Sequence, residues 1–196
     1  MKNLIFAMIA SATALGGVSV AHAAEVGPYV GVGVVASEHK YNLANDTSSG
    51  DRTSDEWSGK VYGGYQFDKT FALEGGYTDF GKSGYNYSVG TANGHIDSKS
   101  HSFYVAGKAS MPVNDQFSLN GKLGLAYNKN TVNGSGLASS YAVGDKDRTG
   151  LYASVGAEYA INQKVSLSLD YEHYGKNDIE QGRKKGAFSL GARYNF

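Results

Sequence analysis

An all-β fold, an eight-stranded antiparallel up-and-down transmembrane β-barrel, is predicted by three features of the 196-residue sequence. Eight runs of residues alternate apolar with small or polar side chains at a period of two, the spacing of a strand with two unlike faces. The connections between the runs alternate short with long, as in barrels that put tight turns on one side of a membrane and loops on the other. Beyond the N-terminal segment no stretch of about 20 apolar residues occurs, so spanning helices are excluded. A closed barrel is then the membrane architecture that satisfies every backbone polar group.

The N-terminal segment reads as an export signal. Lys2 is followed by an apolar run from Leu4 to Val20, interrupted at Gly16 and Gly17, and Ala21-His22-Ala23 has the small-x-small form of a cleavage site. Residues 1–23 are therefore expected to be removed, leaving residues 24–196 as one outer-membrane barrel domain. The composition of 27 Gly, 15 Tyr and 2 Pro suits a strand-rich chain with many turns. With no cysteine, neither disulfides nor a thiolate metal site can hold an exported domain together. The 18 basic and 18 acidic residues balance, which gives no reason to expect a nucleic-acid partner.

The runs lie at residues 27–37, 55–67, 71–79, 101–111, 117–128, 150–161, 165–174 and 186–196. Residues 68–70, 112–116 and 162–164 are short turns, whereas 38–54, 80–100, 129–149 and 175–185 are long polar stretches. Both chain ends then fall on the short-turn, periplasmic side.

Each run has one apolar face. In the third, Phe71, Leu73, Gly75 and Tyr77 oppose Ala72, Glu74, Gly76 and Thr78; in the last, Phe188, Leu190, Ala192, Tyr194 and Phe196 oppose Ser189, Gly191, Arg193 and Asn195. Alternation does not say which face is inside, and a soluble barrel with an apolar core is the alternative. The aromatic residues favour the membrane. Phe67, Phe71, Phe117 and Phe196 collect by the short turns, and Trp57, Tyr77, Phe103, Tyr127 and Tyr171 by the long stretches, as two interfacial girdles would.

If the apolar face meets lipid, the charged strand residues line the lumen and must be paired there. Lys60, Lys108, Lys122 and Arg193 balance Glu74, Glu158, Asp170 and Glu172, all on the polar parity of their strands. Neighbouring strands suggest Glu74 with Lys108, Lys122 with Glu158, and Asp170 with Arg193. Such pairs would fill a barrel whose interior is only wide enough for side chains.

The segment Gly63-Gly64-Tyr65-Gln66-Phe67, followed by FALEGGYTDFG at 71–81, resembles the second and third strands of the outer-membrane protein A transmembrane domain. Residues 108–112, 121–124, 156–161 (GAEYAI) and 169–171 (LDY) follow in matching order. The resemblance implies an outer-membrane location and interior ion pairs at Glu74, Lys108, Lys122 and Glu158. It places a competing arginine of the family, part of a proposed gate, where this chain has Ser168, so Glu74 with Lys108 is expected to be locked. The family's peptidoglycan-binding domain is not in the sequence, which makes the chain similar in size to the short barrels of the OmpX and Ail type and the neisserial surface proteins. Phe196, with Tyr194 and Leu190 before it, resembles the signal read by the outer-membrane assembly machinery.

Some small barrels act on lipid A through a His with a Ser two residues on. Here His173 is followed by Tyr174 and Gly175, and glycine has no nucleophile. His101 and Ser102 are adjacent on a strand and point to opposite faces. His39 and His95 lie without metal-ligand spacing. No enzyme activity, cofactor or metal is expected. The expected role is structural or one of surface contact (envelope integrity, adhesion, host contact) through segments 46–56, 85–97, 133–148 and 176–185. The expected partners are outer-membrane lipids and lipopolysaccharide, the assembly machinery, and host or matrix molecules; the expected state is a monomer. A narrow, low-conductance porin-like channel is the alternative, and a lipid A-modifying enzyme a remoter one.

Overall fold

A computed structural model of the chain describes residues 26–41, 53–89, 92–136, 144–175 and 181–196. The expected signal peptide at 1–23 lies outside them, as do parts of three proposed contact segments, at 46–52, 137–143 and 176–180, and residues 90–91 of the fourth. Eight strands follow in order: β1 (Gly27–Tyr41), β2 (Thr53–Gln66), β3 (Phe71–Val89), β4 (Ala92–Pro112), β5 (Phe117–Gly136), β6 (Gly144–Ala160), β7 (Val165–His173) and β8 (Gln181–Asn195). Each pairs antiparallel with its neighbours in sequence, and β1 pairs with β8 to close the barrel.

The two faces of the wall decide the orientation. Leu123, Leu125 and Val155 are more than half exposed, while Glu74, Lys108 and Asp170 on the opposite parity are 1%, 4% and 2% exposed. A soluble barrel would show the reverse, because apolar area is driven out of water. The alternative with an apolar core therefore does not hold. Val61, Tyr77, Phe103 and Tyr127 stand level on four adjacent strands, with the Tyr77 and Phe103 rings 4.7 Å apart, and form the outer edge of the apolar band. Phe67, Phe71 and Phe196 mark its inner edge. From Leu119 to Tyr127 along β5 the band is about 20 Å tall at a strand tilt of about 40°.

The three short turns share one construction. Phe67, Val113 and Ile161 each donate a backbone N–H to the carbonyl four residues on, at 2.9 Å. The carboxylate or amide oxygen of the next residue, Asp68, Asn114 or Asn162, accepts from the two N–H groups that follow it by two and three positions. An Asx side chain that satisfies the turn's own backbone explains why three unlike sequences, FDKTF, VNDQF and INQKV, close identically.

On the other side the strands run further than their periodicity indicates. β3 continues to Val89 and β4 begins at Ala92, so most of the expected loop 80–100 is a paired hairpin; β5 and β6 likewise extend to Gly136 and from Gly144. Above the membrane neither face of a hairpin is apolar, so pairing persists through the backbone while the alternation that signals a strand disappears. The paired wall is not closed at this level. The register of β2 with β3 stops at Gly59 and Asp79, and that of β6 with β7 at Ala153 and His173. Among the described residues, β8, β1 and β2 rise as one ribbon and β3 to β6 as another.

Candidate functional site

Parity sends every second side chain into the lumen, and the polar ones must find partners there. Three glutamates organise them. Nearest the short turns, Glu158 accepts from Lys108 Nζ at 2.5 Å, Arg193 Nη1 at 3.3 Å and Ser166 Oγ at 2.7 Å. Arg193 is held from its other edges by Gln66 Oε1 at 3.1 Å and Asn195 Oδ1 at 2.8 Å, with its guanidinium 3.9 Å from the centre of the Tyr29 ring. At mid-height, Glu74 accepts from Lys122 Nζ at 2.8 Å, Tyr104 at 2.7 Å and Tyr29 at 3.0 Å. Toward the long connections, Glu172 pairs with Lys60 and accepts from Tyr152 at 2.9 Å and Tyr174 at 2.5 Å. A carboxylate with three donors is compensated even without water, which is what permits these charges inside the wall.

Six of the residues singled out in the sequence, Glu74, Lys108, Lys122, Glu158, Asp170 and Arg193, thus face one lumen, but their couples differ from the expected ones. Glu74 is bound by Lys122 instead of Lys108, and Lys108 takes Glu158. Arg193 also goes to Glu158 and leaves Asp170, whose nearest cation is Lys122 at 3.9 Å. Register is the reason. Arg193 stands opposite Ser166 and Asp170 opposite Ser189, four positions or about 13 Å apart along β8. Lys122 stands opposite Ser154 and Glu158 opposite Ser118, the same offset on β5. Side chains in so narrow a barrel meet across the lumen more readily than along such a diagonal. The expectation that Glu74 is locked to Lys108 fails with them. Although Ser168 replaces the family's arginine on β7, β8 supplies Arg193, which shares Glu158 with Lys108.

Reading charges alone missed the tyrosines. Tyr29, Tyr104, Tyr152 and Tyr174 are buried and donate to the glutamates. The available signal was parity, since Tyr104 shares a face with Lys108 and Tyr152 with Glu158. On an adjacent strand three of them face glycine: Tyr29 stands opposite Gly64, Tyr104 opposite Gly76 and Tyr152 opposite Gly124. A Cβ on Gly64 would lie 2.3 Å from the Leu73 carbonyl and 2.6 Å from the Tyr29 ring, so only glycine leaves that ring its place. Tyr104 and Tyr152, which donate to Glu74 and Glu172, stack at 4.3 Å, and Phe80 packs edge-on to Tyr174 at 5.2 Å.

At the opposite end a recess of about 50 Å³ opens between the short turns, floored by Glu158, Arg193, Ser166 and Asn195. Among the described residues no group of three or more metal-ligating side chains comes together. His101 lies against the Tyr77 and Phe103 rings while Ser102 is fully buried on the other face. His173 closes β7, and Gly175 beyond it takes a left-handed φ of 87°. Tyr194 and Phe196 lie ring to ring at 5.4 Å on the outer wall, where Phe196 N–H donates to the Pro28 carbonyl.

The sequence matches the family model described as outer membrane protein beta-barrel domain over residues 9–196. Among solved structures the fold is similar to Ail, the attachment invasion locus protein of Yersinia pestis, at a TM-score of 0.56 and 18% identity, covering 88% of this chain and 100% of that one; that Ail structure is a complex with the heparin analogue sucrose octasulfate. It is also similar to the outer membrane protein OprG of Pseudomonas aeruginosa, at a TM-score of 0.52 and 13% identity, covering 88% and 97%. No curated protein sequence matches the chain.

Proposed function

The chain belongs to the outer membrane protein beta-barrel domain family, and from that premise we propose that it is a scaffold whose work is done outside the membrane, in structural support of the envelope and in surface contact. The observation that carries this reading is the filled lumen: four cations and four carboxylates, with buried tyrosines between them, occupy the space that a transport path or a catalytic pocket would need. What varies freely on such a scaffold is the set of long connections. The proposed contact segments are 46–56, 85–97, 133–148 and 176–185; of these, the described residues of 85–97 and 133–148 belong to the extended β3 to β6 ribbon. The last of them carries the run Arg183-Lys184-Lys185. Sulfated glycans are therefore the first probe, the more so because the Ail structure holds one analogue of that chemistry.

The remaining assignments follow from the same reading. Glu74, Lys108, Lys122, Glu158, Asp170 and Arg193 serve structure, Phe196 and Tyr194 are read by the assembly machinery, residues 1–23 are cleaved, and the mature barrel is a monomer in lipid and lipopolysaccharide. Catalysis on lipid A is disfavoured because Gly175 stands where a nucleophile would be needed. A second reading, a narrow solute path, is favoured by one feature: Asn120, Ser154 and Asp170 carry buried polar atoms without hydrogen-bond partners along one side of the lumen.

The test is surface display of the full chain on cells that otherwise do not adhere, with each segment replaced in turn by a Gly-Ser linker. Binding to immobilised heparin and to matrix proteins should appear with the parent and fall when 176–185 is replaced. Display without binding to any of these would remove the contact reading and leave the envelope role.

A further inference from the structure

Twice on the side of the long connections a strand loses a neighbour, β3 losing β2 after Asp79 and β7 losing β6 after His173, and each time an aromatic ring points into the mouth. After Asp79 the register of β3 shifts, Gly81 takes a φ of 75° with its N–H bound to Asp79 Oδ1, and Phe80 points inward, fully buried. After His173 β7 ends, Gly175 takes a φ of 87°, and Tyr174 points inward, also fully buried. A residue with a Cβ adopts such a φ only under strain, so the two glycines are what allow these bends. The second bend is laid across the rim: a Cβ on Gly175 would come within 2.9 Å of the Gly150 Cα on β6. Asn128 on β5 donates its amide to the Tyr174 carbonyl at 2.7 Å, and the Tyr174 hydroxyl lies 3.0 Å from Thr78 Oγ1. The Tyr174 ring meets the Phe80 and Tyr152 rings at 5.2 Å each, and Tyr152 stacks on Tyr104.

We propose that residues 174–175 are a strap which, with Phe80, stoppers the extracellular mouth, and that the lumen holds two seals in series: this aromatic one above and the Lys122–Glu74 node below. The upper seal is of a different kind from the lower. Phe80 sits where β3 has lost β2 and keeps only β4, and Tyr174 lies beyond the end of β7, held by hydrogen bonds to Asn128, Thr78 and Glu172, whereas the ionic node is built from strands paired on both sides. A segment outside the ladder, as 174–175 is, opens at lower free energy than paired strands. Lifting the strap uncovers the Lys60–Glu172 pair as the first charged surface met from outside, while the ionic node still blocks passage. The lumen is then an extracellular vestibule for small polar solutes, closed at its floor. This concerns the lumen alone and stands apart from the surface-contact role.

Planar-bilayer conductance of four refolded proteins tests it: the parent, Phe80→Ala with Tyr174→Ala, Glu74→Ala with Lys122→Ala, and all four changes together. Seals in series require each pair of changes to stay within about twofold of the parent and the combination to rise at least tenfold. Either pair alone conducting like the combination overturns the proposal, as does a folded combination that stays silent. Should the combination fail to fold, labelling decides. Ser154→Cys, in a chain with no other cysteine, should resist a membrane-impermeant thiol reagent applied from the loop side and react at least tenfold faster when Tyr174→Ala is added; equal rates in the two overturn the stopper.

Discussion

Lys108 and Lys122 stand directly opposite each other on β4 and β5 inside the barrel, yet their ammonium groups part to different glutamates, Glu158 and Glu74. Two like charges side by side in a wall would repel. Sending one down to the Arg193 tier and the other up to the tyrosine-capped carboxylate resolves the conflict and ties seven strands together through two nodes.

Removing the centre of a node leaves its cations uncompensated. Glu158→Ala strands both Lys108 and Arg193, and should cost about 3–5 kcal/mol in urea unfolding from lipid vesicles. Asp170→Asn should cost about 1 kcal/mol or less, since its one ionic contact is 3.9 Å long and one of its oxygens has no partner. Equal losses in the two variants would contradict the node description.

A double-mutant cycle separates the observed couples from those that strand adjacency suggests. Lys108 with Glu158 should show a coupling of about 1–3 kcal/mol, and Lys108 with Glu74 little, although the latter pair lies on neighbouring strands. The reverse ranking would restore the adjacent pairing.

Glycines inside and outside the wall should respond unequally to a methyl group. Gly64→Ala pushes against the Leu73 carbonyl and the Tyr29 ring, which donates to Glu74, and should destabilise by about 1–3 kcal/mol. Gly107→Ala faces outward with its nearest neighbour 3.9 Å away and should change stability by no more than about 0.5 kcal/mol. Similar unfolding midpoints for the two would argue against the tyrosine-on-glycine packing.

Strand number and the two faces of each strand were legible because parity is written in the residues, and the aromatic girdles added which face meets lipid. Glu74, Lys108 and Leu123 could be sorted to their faces from the alternation alone. Partner choice was not legible. It depends on register, which a one-face pattern leaves open to shifts of two, so Arg193 was set beside Asp170 when β8 places it opposite Ser166. The upper parts of β3 to β6 were missed because hairpins in water need no apolar face; Phe80 and Tyr174 share the inward parity of Glu74 and Glu172, but the bends that follow them rest on φ values at Gly81 and Gly175 that no periodicity records.

The account rests on Leu123 and its row touching hydrocarbon while Lys122, one residue away, does not. Since Trp57 is the single tryptophan, Trp57→Phe with Leu123→Trp gives one reporter in the middle of the band. In vesicles of brominated lipids, with folding checked by the mobility difference between unheated and boiled samples, its fluorescence should be quenched more by bromines deep in the acyl chains than by bromines near the headgroups. Emission that no bromine depth quenches, from a barrel that stays folded and monomeric in buffer without detergent, would contradict the orientation.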